Sequence, residues 1–235
     1  MSPPVRVDGD TLRTWTITDE GTERVQLSIR SAGRPVEAKV ELWQSPSFIP
    51  VTFTYCFDSG SDSPLHTIIE TPGLRKTIAV YNTECGHCPF EASVAHTGLG
   101  AAYEAVAHHQ PELVQGGKTT SYTFGPEVES VQVLLKTDGR NMKALIEVLQ
   151  GPGLGGPENE QTIEVDVTSG LEHPFYVVIQ TPAGPGDANT LRIINLNPVE
   201  FPFYAFILPF TVVPVVSSSS GDTEIVMGHE GSWAV

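Results

Sequence analysis

The sequence is poor in positive charge and in cysteine. It has 13 lysine and arginine residues against 28 aspartate and glutamate residues, which gives a formal net charge of −15. So acidic a chain is repelled by nucleic-acid phosphates and by anionic membrane surfaces, and we expect it to bind neither. The 3 cysteines are an odd number and form no disulfide framework, which favours a reducing compartment.

Long hydrophobic runs and familiar catalytic motifs are also missing. The most apolar stretch, from Phe201 to Val216, is interrupted by prolines and is too short to cross a bilayer. The first residues contain neither the basic cluster nor the apolar run of a signal peptide. There is no serine nucleophile elbow, no phosphate-binding glycine loop and no two-histidine helix motif. We therefore expect no catalysis, no cofactor and no membrane insertion.

What the sequence does contain is an internal repeat. Residues 25–46 recur as residues 131–152 without a gap, at an offset of 139 − 33 = 106. Further on, Thr71-Pro72 matches Thr181-Pro182 at an offset of 110, and Asn82 matches Asn195 at 113. The offset grows only in Gly- and Pro-rich stretches, as loop insertions would produce. A repeat of this length predicts two copies of one folding unit.

Alternating apolar residues predict that both copies are built from strands. Val25, Leu27 and Ile29 alternate with polar residues, which is the period of a strand with one buried face. Asp138-Gly139 is a strong hairpin signal between two such runs. Other strands are predicted at 51–57, 65–71, 76–82 and 90–95, and at 161–168, 173–181, 189–195 and 203–209. About seven strands per copy predict an all-β protein of two tandem antiparallel β-sandwich-like domains.

These patterns divide the chain into four parts. The predicted domains span residues 12–96 and 119–210, and a linker spans 97–118. The Ala-rich segment from Leu99 to His109 predicts a short helix in that linker, ending before Pro111. Residues 211–235 form a Ser-rich C-terminal tail, flexible by composition. Its tip, Trp233-Ala234-Val235, is either a disordered terminus or a peptide that docks on a neighbouring subunit through Trp233.

One short motif suggests chemistry. Cys85-Gly86-His87-Cys88 has the letters of a thiol–disulfide oxidoreductase, but a strand-like run follows it and the sister copy has Pro198-Val199-Glu200-Phe201 instead. With His108 and His109, the two cysteines would also make a zinc ligand set, although two adjacent imidazoles reach one metal poorly. All four residues are therefore weak metal candidates.

Two repeated glutamates are a third candidate for chemistry. Glu41 and Glu147 occupy equivalent positions in the two copies. Alternation places both on the polar face of a strand, so we expect solvated surface residues and no catalytic dyad.

The repeated block resembles the pyrenoid shell proteins (PyShell) of diatoms and related algae. The resemblance rests on the Ala-x-Val/Ile-Glu-x-x-Gln-x-Pro strand, present from Ala38 to Pro46 in its full form. It also rests on the segments Ile68-Ile69-Glu70-Thr71-Pro72 with its partner Val178-Ile179-Gln180-Thr181-Pro182, Arg192-Ile193-Ile194-Asn195, and Phe201-Pro202-Phe203. It covers residues 12 to 210 and implies no site motif.

The resemblance implies a structural protein that assembles into a sheet around the Rubisco condensate, shapes the pyrenoid and limits CO2 escape. The partners would be other copies of the chain, and Rubisco or its linker proteins on one face. The location would be the chloroplast stroma at the pyrenoid periphery, with a targeting segment that this sequence does not include. The expected assembly contacts are Trp233, Ala234, Val235, Phe201 and Phe203. A thiol oxidoreductase and a monomeric β-sandwich binding module are the alternatives.

Overall fold

The computed structural model describes residues 3–31, 33–57, 64–73, 75–84, 88–96, 98–153, 156–181 and 188–213. This part of the chain forms sixteen strands and one helix. The first half contains β1 (Val5–Val7), β2 (Leu12–Ile17), β3 (Arg24–Arg30), β4 (Val36–Gln44), β5 (Phe48–Phe57), β6 (Leu65–Glu70), β7 (Lys76–Asn82) and β8 (Phe90–Ala95). After α1 (Gly100–Ala107) come β9 (Glu112–Val114), β10 (Thr119–Phe124), β11 (Val128–Lys136), β12 (Met142–Gly153), β13 (Gly156–Val167), β14 (Phe175–Gln180), β15 (Asn189–Asn195) and β16 (Phe203–Val212).

The strands form two eight-stranded sheets. In each sheet the order of strands in the second half mirrors the order in the first half. Sheet A runs β1-β8-β3-β6-β14-β11-β16-β9, and sheet B runs β10-β15-β12-β13-β5-β4-β7-β2. Neighbouring strands are antiparallel throughout. Each half places four adjacent strands in each sheet, which is the arrangement of an eight-stranded jelly roll. The prediction of an all-β, antiparallel sandwich with a short helix is confirmed.

The two halves meet edge to edge in both layers. In sheet B, β5 pairs with β13 over seven residues, from Val51 opposite Val167 to Phe57 opposite Gln161. In sheet A, β6 pairs with β14 over three residues. Both sheets therefore continue from one half into the other. We call these two joints the seam. The core is shared as well, since Phe53 and Phe175 from opposite halves pack edge to face with ring centroids 5.4 Å apart.

Two short edge strands lie outside the predicted elements. β1 precedes residue 12 and pairs with β8, while β9 lies inside the predicted linker and pairs with β16. Each half therefore has eight strands where the sequence predicts about seven. Three residues are too few to show alternation, and for that reason the pattern misses both. The edge strands β2 and β10, of six residues each, lie inside the predicted domains but are also absent from the predicted strands. The boundaries 12–96 and 119–210 stay a prediction, as does the tail at 211–235, of which β16 reaches Val212.

Strand alternation sets the core between the sheets. Val25, Leu27 and Ile29 are at most 4% exposed, and the same period recurs in the first half of β4 and throughout β15. β11 is instead buried on both faces over most of its length. The helix α1 lies outside the sandwich, on the outer face of sheet A. Tyr103 and Val106 of α1 are buried against strands next to the seam, on Ile68, Leu134, Tyr176, Val178 and Phe206. Among the described residues, no helix combines the length and hydrophobicity needed to cross a bilayer.

Matching buried hydrogen bonds occur in the two halves of the chain. The Asn82 side-chain amide donates to the carbonyl oxygens of Val7 and Cys88, at 3.1 and 2.9 Å. The Asn195 amide donates in the same way to Val114 and Phe201, at 2.9 and 3.0 Å. Each asparagine thus ties a short edge strand to the loop ahead of β8 or β16. Since a buried carbonyl without a donor is costly, asparagine is required at both positions.

Replacing either asparagine by alanine should destabilise the fold. Asn82→Ala or Asn195→Ala removes two bonds and leaves two carbonyls without a donor, a loss of about 2–3 kcal/mol in the free energy of unfolding. Chemical denaturation of each variant measures this. The control is Asn141→Ala, whose side chain is exposed and whose loss should cost no more than about 0.5 kcal/mol. Equal costs for all three variants would contradict the assignment.

Two histidines make the seam sensitive to pH. His173 is 3% exposed, with Nδ1 3.3 Å from the Glu70 carbonyl oxygen across the seam. His66 lies opposite Val178 in the β6–β14 pairing, with Nδ1 2.8 Å from the Ser28 hydroxyl. Burial lowers the pKa of both imidazoles below the usual 6.5. Their folded forms therefore bind protons less readily than the unfolded chain.

The sign of the pH effect follows from these shifts. Above pH 6.5 both imidazoles are neutral in either state, and stability is unaffected by them. Below it the unfolded chain takes up protons first, so the free energy of unfolding falls as the pH falls. We expect His173→Gln to reduce this loss between pH 7.5 and 5.5, measured by denaturant midpoints. His96→Gln, at an exposed position, should keep the wild-type slope; a parallel change in both variants would remove His173 as the cause.

Candidate assembly surfaces

The predicted cysteine and histidine ligands are not assembled into a metal site in the described residues. Cys85, Gly86 and His87 lie outside them. Cys88 is a free, half-buried thiol just before β8, and its carbonyl accepts the Asn82 bond. His108 and His109 are exposed at the end of α1. Within the described ranges, no group of three or more His, Cys, Asp or Glu residues is placed to hold a metal ion.

The predicted assembly contacts fall into three situations. Phe203 is 0% exposed and belongs to the core, so its side chain offers no surface to a second copy, and that prediction is corrected. It faces inward because it begins β16 in register with Val114, another core residue. Phe201 is half-buried, with its ring 5.8 Å from the Arg140 guanidinium. Trp233, Ala234 and Val235 lie outside the described residues.

Glu41 and Glu147 lie on the outer face of sheet B but are buried, at 8% and 9% exposure. The expectation of solvated carboxylates is therefore wrong, because long neighbouring side chains cover them. Lys39 Nζ is 2.6 Å from Glu41 and Trp43 Nε1 is 2.7 Å from it, while Arg192 Nε is 2.5 Å from Glu147. Burial raises the pKa of Glu41, but the bonds from Lys39 and Trp43 outweigh it and leave the pKa below its usual value. Both glutamates are charged members of ion pairs.

Two surface pockets are lined by described residues. The first, of about 280 Å³, is bordered by carboxylates and by Lys76. The Lys76 ammonium is buried and donates to the carbonyls of Glu20, Thr22 and Thr71, which occupies its three hydrogens. Lys76 therefore serves the structure by binding these three carbonyls, and its ammonium has no hydrogen left for a ligand. The second pocket, of about 420 Å³, lies beside the β4–β5 turn, where Phe48 and Ile49 are each 46% exposed.

The four edge strands are the more informative surface. They are β1 and β2 at one end of the sandwich, which we call the first end, and β9 and β10 at the other, the second end. The edge strands of sheet B, β2 and β10, have six residues each, and the edge strands of sheet A, β1 and β9, have three residues each. Within the described ranges, each of these strands pairs on one side only. Their outward N–H and C=O groups are therefore available for pairing.

The sheet B edges lack the usual protection against pairing. Natural edge strands are commonly guarded by charges, proline or bulges. β10 (TTSYTF) contains no charge and no proline, and β2 (LRTWTI) contains only Arg13. Inside each end, apolar side chains are half-buried against the end of the core: Trp15 and Ile17 from β2, and Tyr122 and Phe124 from β10. Further apolar contact would remove more of their area from water.

The two ends are not equivalent in their sheet A side chains. At the second end Leu113 lies opposite Tyr204, and these are 46% and 43% exposed. In the matching place at the first end Arg6 lies opposite Glu91, both exposed. The first end is thus charged where the second end is apolar, so the two ends of the molecule are chemically different.

Comparisons with known proteins identify a family. A family model described as the diatom pyrenoid shell protein matches residues 1–209. No curated protein sequence matches the chain. Among solved structures, the PBSX exported protein XepA is 8% identical, with 81% of this chain and 84% of that chain covered and a TM-score of 0.29.

Two plant proteins give similar values. The vicilin from Capsicum annuum is 9% identical, with 81% of this chain and 74% of that chain covered and a TM-score of 0.22. The vicilin from Solanum lycopersicum (tomato) is 4% identical, with 83% and 74% covered and a TM-score of 0.21. The family match spans nearly all of the described residues, including both halves and the seam, and it places the protein in the pyrenoid. The chain belongs to the diatom pyrenoid shell protein family.

Proposed function

We propose that this protein is a self-assembling structural tile that encloses the Rubisco condensate of the pyrenoid, shapes it and limits CO2 leakage. The observation that carries the proposal is the pair of open edges at each end of a continuous two-layered sandwich. A monomer that was complete by itself would be expected to cover or guard such edges. Membership of the shell protein family supports the same function.

The shape of the molecule suits a tile. Eight strands spaced about 4.8 Å apart make a slab on the order of 35 Å wide, and the two sheets lie about 10 Å apart. Its two broad faces differ in the described ranges, where α1 covers the middle of sheet A and no helix lies on sheet B. A layer that separates a condensate from the stroma needs two distinct faces. We propose that one face contacts Rubisco or its linker proteins, at the pyrenoid periphery in the chloroplast stroma.

The net charge of −15 opposes assembly. Like charges on adjacent tiles repel over about 10 Å at 0.1 M ionic strength and over about 30 Å at 0.01 M. Short-range contacts at the edges can therefore act only after this repulsion is screened. Ionic strength and divalent cations become the variables that control assembly.

Purified protein should assemble into sheets or tubes as the ionic strength rises, and should disperse again on dilution into low salt. Electron microscopy and sedimentation across about 0.01–0.5 M salt would follow the change, since screening lengths span about 30 to 5 Å over that range. Magnesium should act at lower concentration than sodium. A protein that stays monomeric under all these conditions would overturn the proposed function.

We also propose that the tail strengthens assembly by docking Trp233 on a neighbouring tile. Tryptophan is one of the residue types that most often anchor contacts between proteins. Deleting residues 221–235 should raise the protein concentration needed for assembly, while the thermal unfolding midpoint stays unchanged because these residues follow the last strand. The matched control is Trp233→Ala in the full-length chain, which should reproduce most of the effect. Unchanged assembly in both variants would show that the tail is passive.

A further inference from the structure

We infer that tiles join head to tail through their edge strands, so that β2 of one copy pairs with β10 of the next and β1 pairs with β9. This inference rests on the proposed assembly and names its contact. The first end of one copy would meet the second end of its neighbour. Both sheets would then continue from copy to copy, as they already continue from one half of the chain to the other.

The seam inside the chain shows that this kind of joint is compatible with the fold. There β5 and β13 close one layer and β6 and β14 close the other, both antiparallel. Each end of the molecule is built like one side of the seam, with one edge strand from sheet A next to one edge strand from sheet B. At the ends, six-residue β2 and β10 match in length, as do three-residue β1 and β9. The proposed joint therefore repeats an arrangement that this sandwich already contains.

Strand direction permits the joint without any rotation of the neighbour. Every adjacent pair in each eight-stranded sheet is antiparallel, so the first and eighth strands run in opposite directions. A copy shifted along the row therefore presents an edge antiparallel to the one that it meets. Antiparallel pairing gives the inter-strand hydrogen bonds their perpendicular geometry and suits sheets of this kind.

Apolar area supports the contact. Trp15, Ile17, Tyr122 and Phe124 are half-buried and pack against the ends of the core. When two ends meet, the Trp15 side of one copy approaches the Tyr122 side of the other, and the interior becomes continuous. Aromatic residues are the usual anchors of protein contacts, and their burial offsets the repulsion between acidic tiles.

Charge favours the head-to-tail arrangement over a symmetric one. The edge strands of the first end carry Arg13 and Arg6, and Arg6 is paired with Asp8 at 2.7 Å. Those of the second end carry no basic residue and one acid, Glu112, which accepts a hydrogen bond from the Tyr122 hydroxyl at 2.6 Å. Two first ends facing each other would bring arginines together, whereas head-to-tail contact brings them toward Glu112. A heterologous contact of this kind does not close on itself and therefore propagates into a row. The ends of the strands and their connecting turns, including the exposed Phe48 and Ile49 at the start of β5, would line the sides of the row.

The first test places lysines on the β10 edge. Ser121 and Thr123 are exposed and lie in β10, so Ser121→Lys with Thr123→Lys should leave the fold intact and guard the edge against pairing. The matched control is Glu164→Lys, at an exposed position in β13, which changes the net charge by the same two units away from any edge. The double variant should need at least about tenfold more protein to assemble than the control.

The second test distinguishes head-to-tail from symmetric contact. In a background with Cys56, Cys85 and Cys88 replaced by serine, Thr14→Cys places a thiol on β2 and Ser121→Cys places one on β10. Under mild oxidation the two variants should crosslink when mixed, and each alone should not. Unfolding midpoints close to the wild-type value would confirm that the variants fold.

The possible outcomes test the head-to-tail contact and the proposed shell function separately. If the wild type assembles and the lysine variant assembles equally well, the joint is wrong and the shell function stands. If each cysteine variant crosslinks only with itself, the contact is symmetric and the head-to-tail inference is overturned. If the wild type never assembles, the proposed function fails, and the joint fails with it.

Discussion

Antiparallel hydrogen bonding between edge strands is the interaction on which the rest of this structure depends. A strand at the edge of a sheet leaves backbone donors and acceptors without partners in the sheet. Inside the chain, β5 and β13 satisfy each other, and so do β6 and β14. This turns two jelly-roll halves into one slab with a shared core. It also moves the edges that are open in the described residues to the far ends of the two sheets.

In the proposed assembly, charge and asymmetry make this slab a tile whose association can be controlled. The net charge of −15 would repel copies at long range, while the edges and their aromatic side chains would act at short range. The linker supplies α1, which covers the outer face of sheet A, and no second helix among the described residues covers sheet B. Arg6 and Leu113 in matching positions make the two ends chemically different. A protein with near-symmetric halves thus acquires distinct faces and distinct ends.

Particular residues show how far the sequence could be interpreted. Strands β7, β8 and β15 have the bounds that alternation predicted, because each buries one face against the core. Matching asparagines, Asn82 and Asn195, were evident as a repeated letter, but only the structure shows the carbonyls that they bind. Glu41 and Glu147 were expected in solvent, yet neighbouring side chains cover them. Phe203 was expected at a contact and instead lies in the core, since side-chain direction depends on strand register.

By itself, the sequence determined that the protein is all-β and acidic, that it carries an internal repeat, and that it resembles shell proteins. Those properties are local: they follow from alternation, turn residues and charge, which a linear chain displays directly. Only the tertiary structure decided that the halves share both sheets, and therefore where the open edges lie. Pairing between β5 and β13 joins residues more than a hundred positions apart, as with Phe57 and Gln161. No pattern within one strand specifies its partner across such a distance, because pairing is selected by the packing of the whole core.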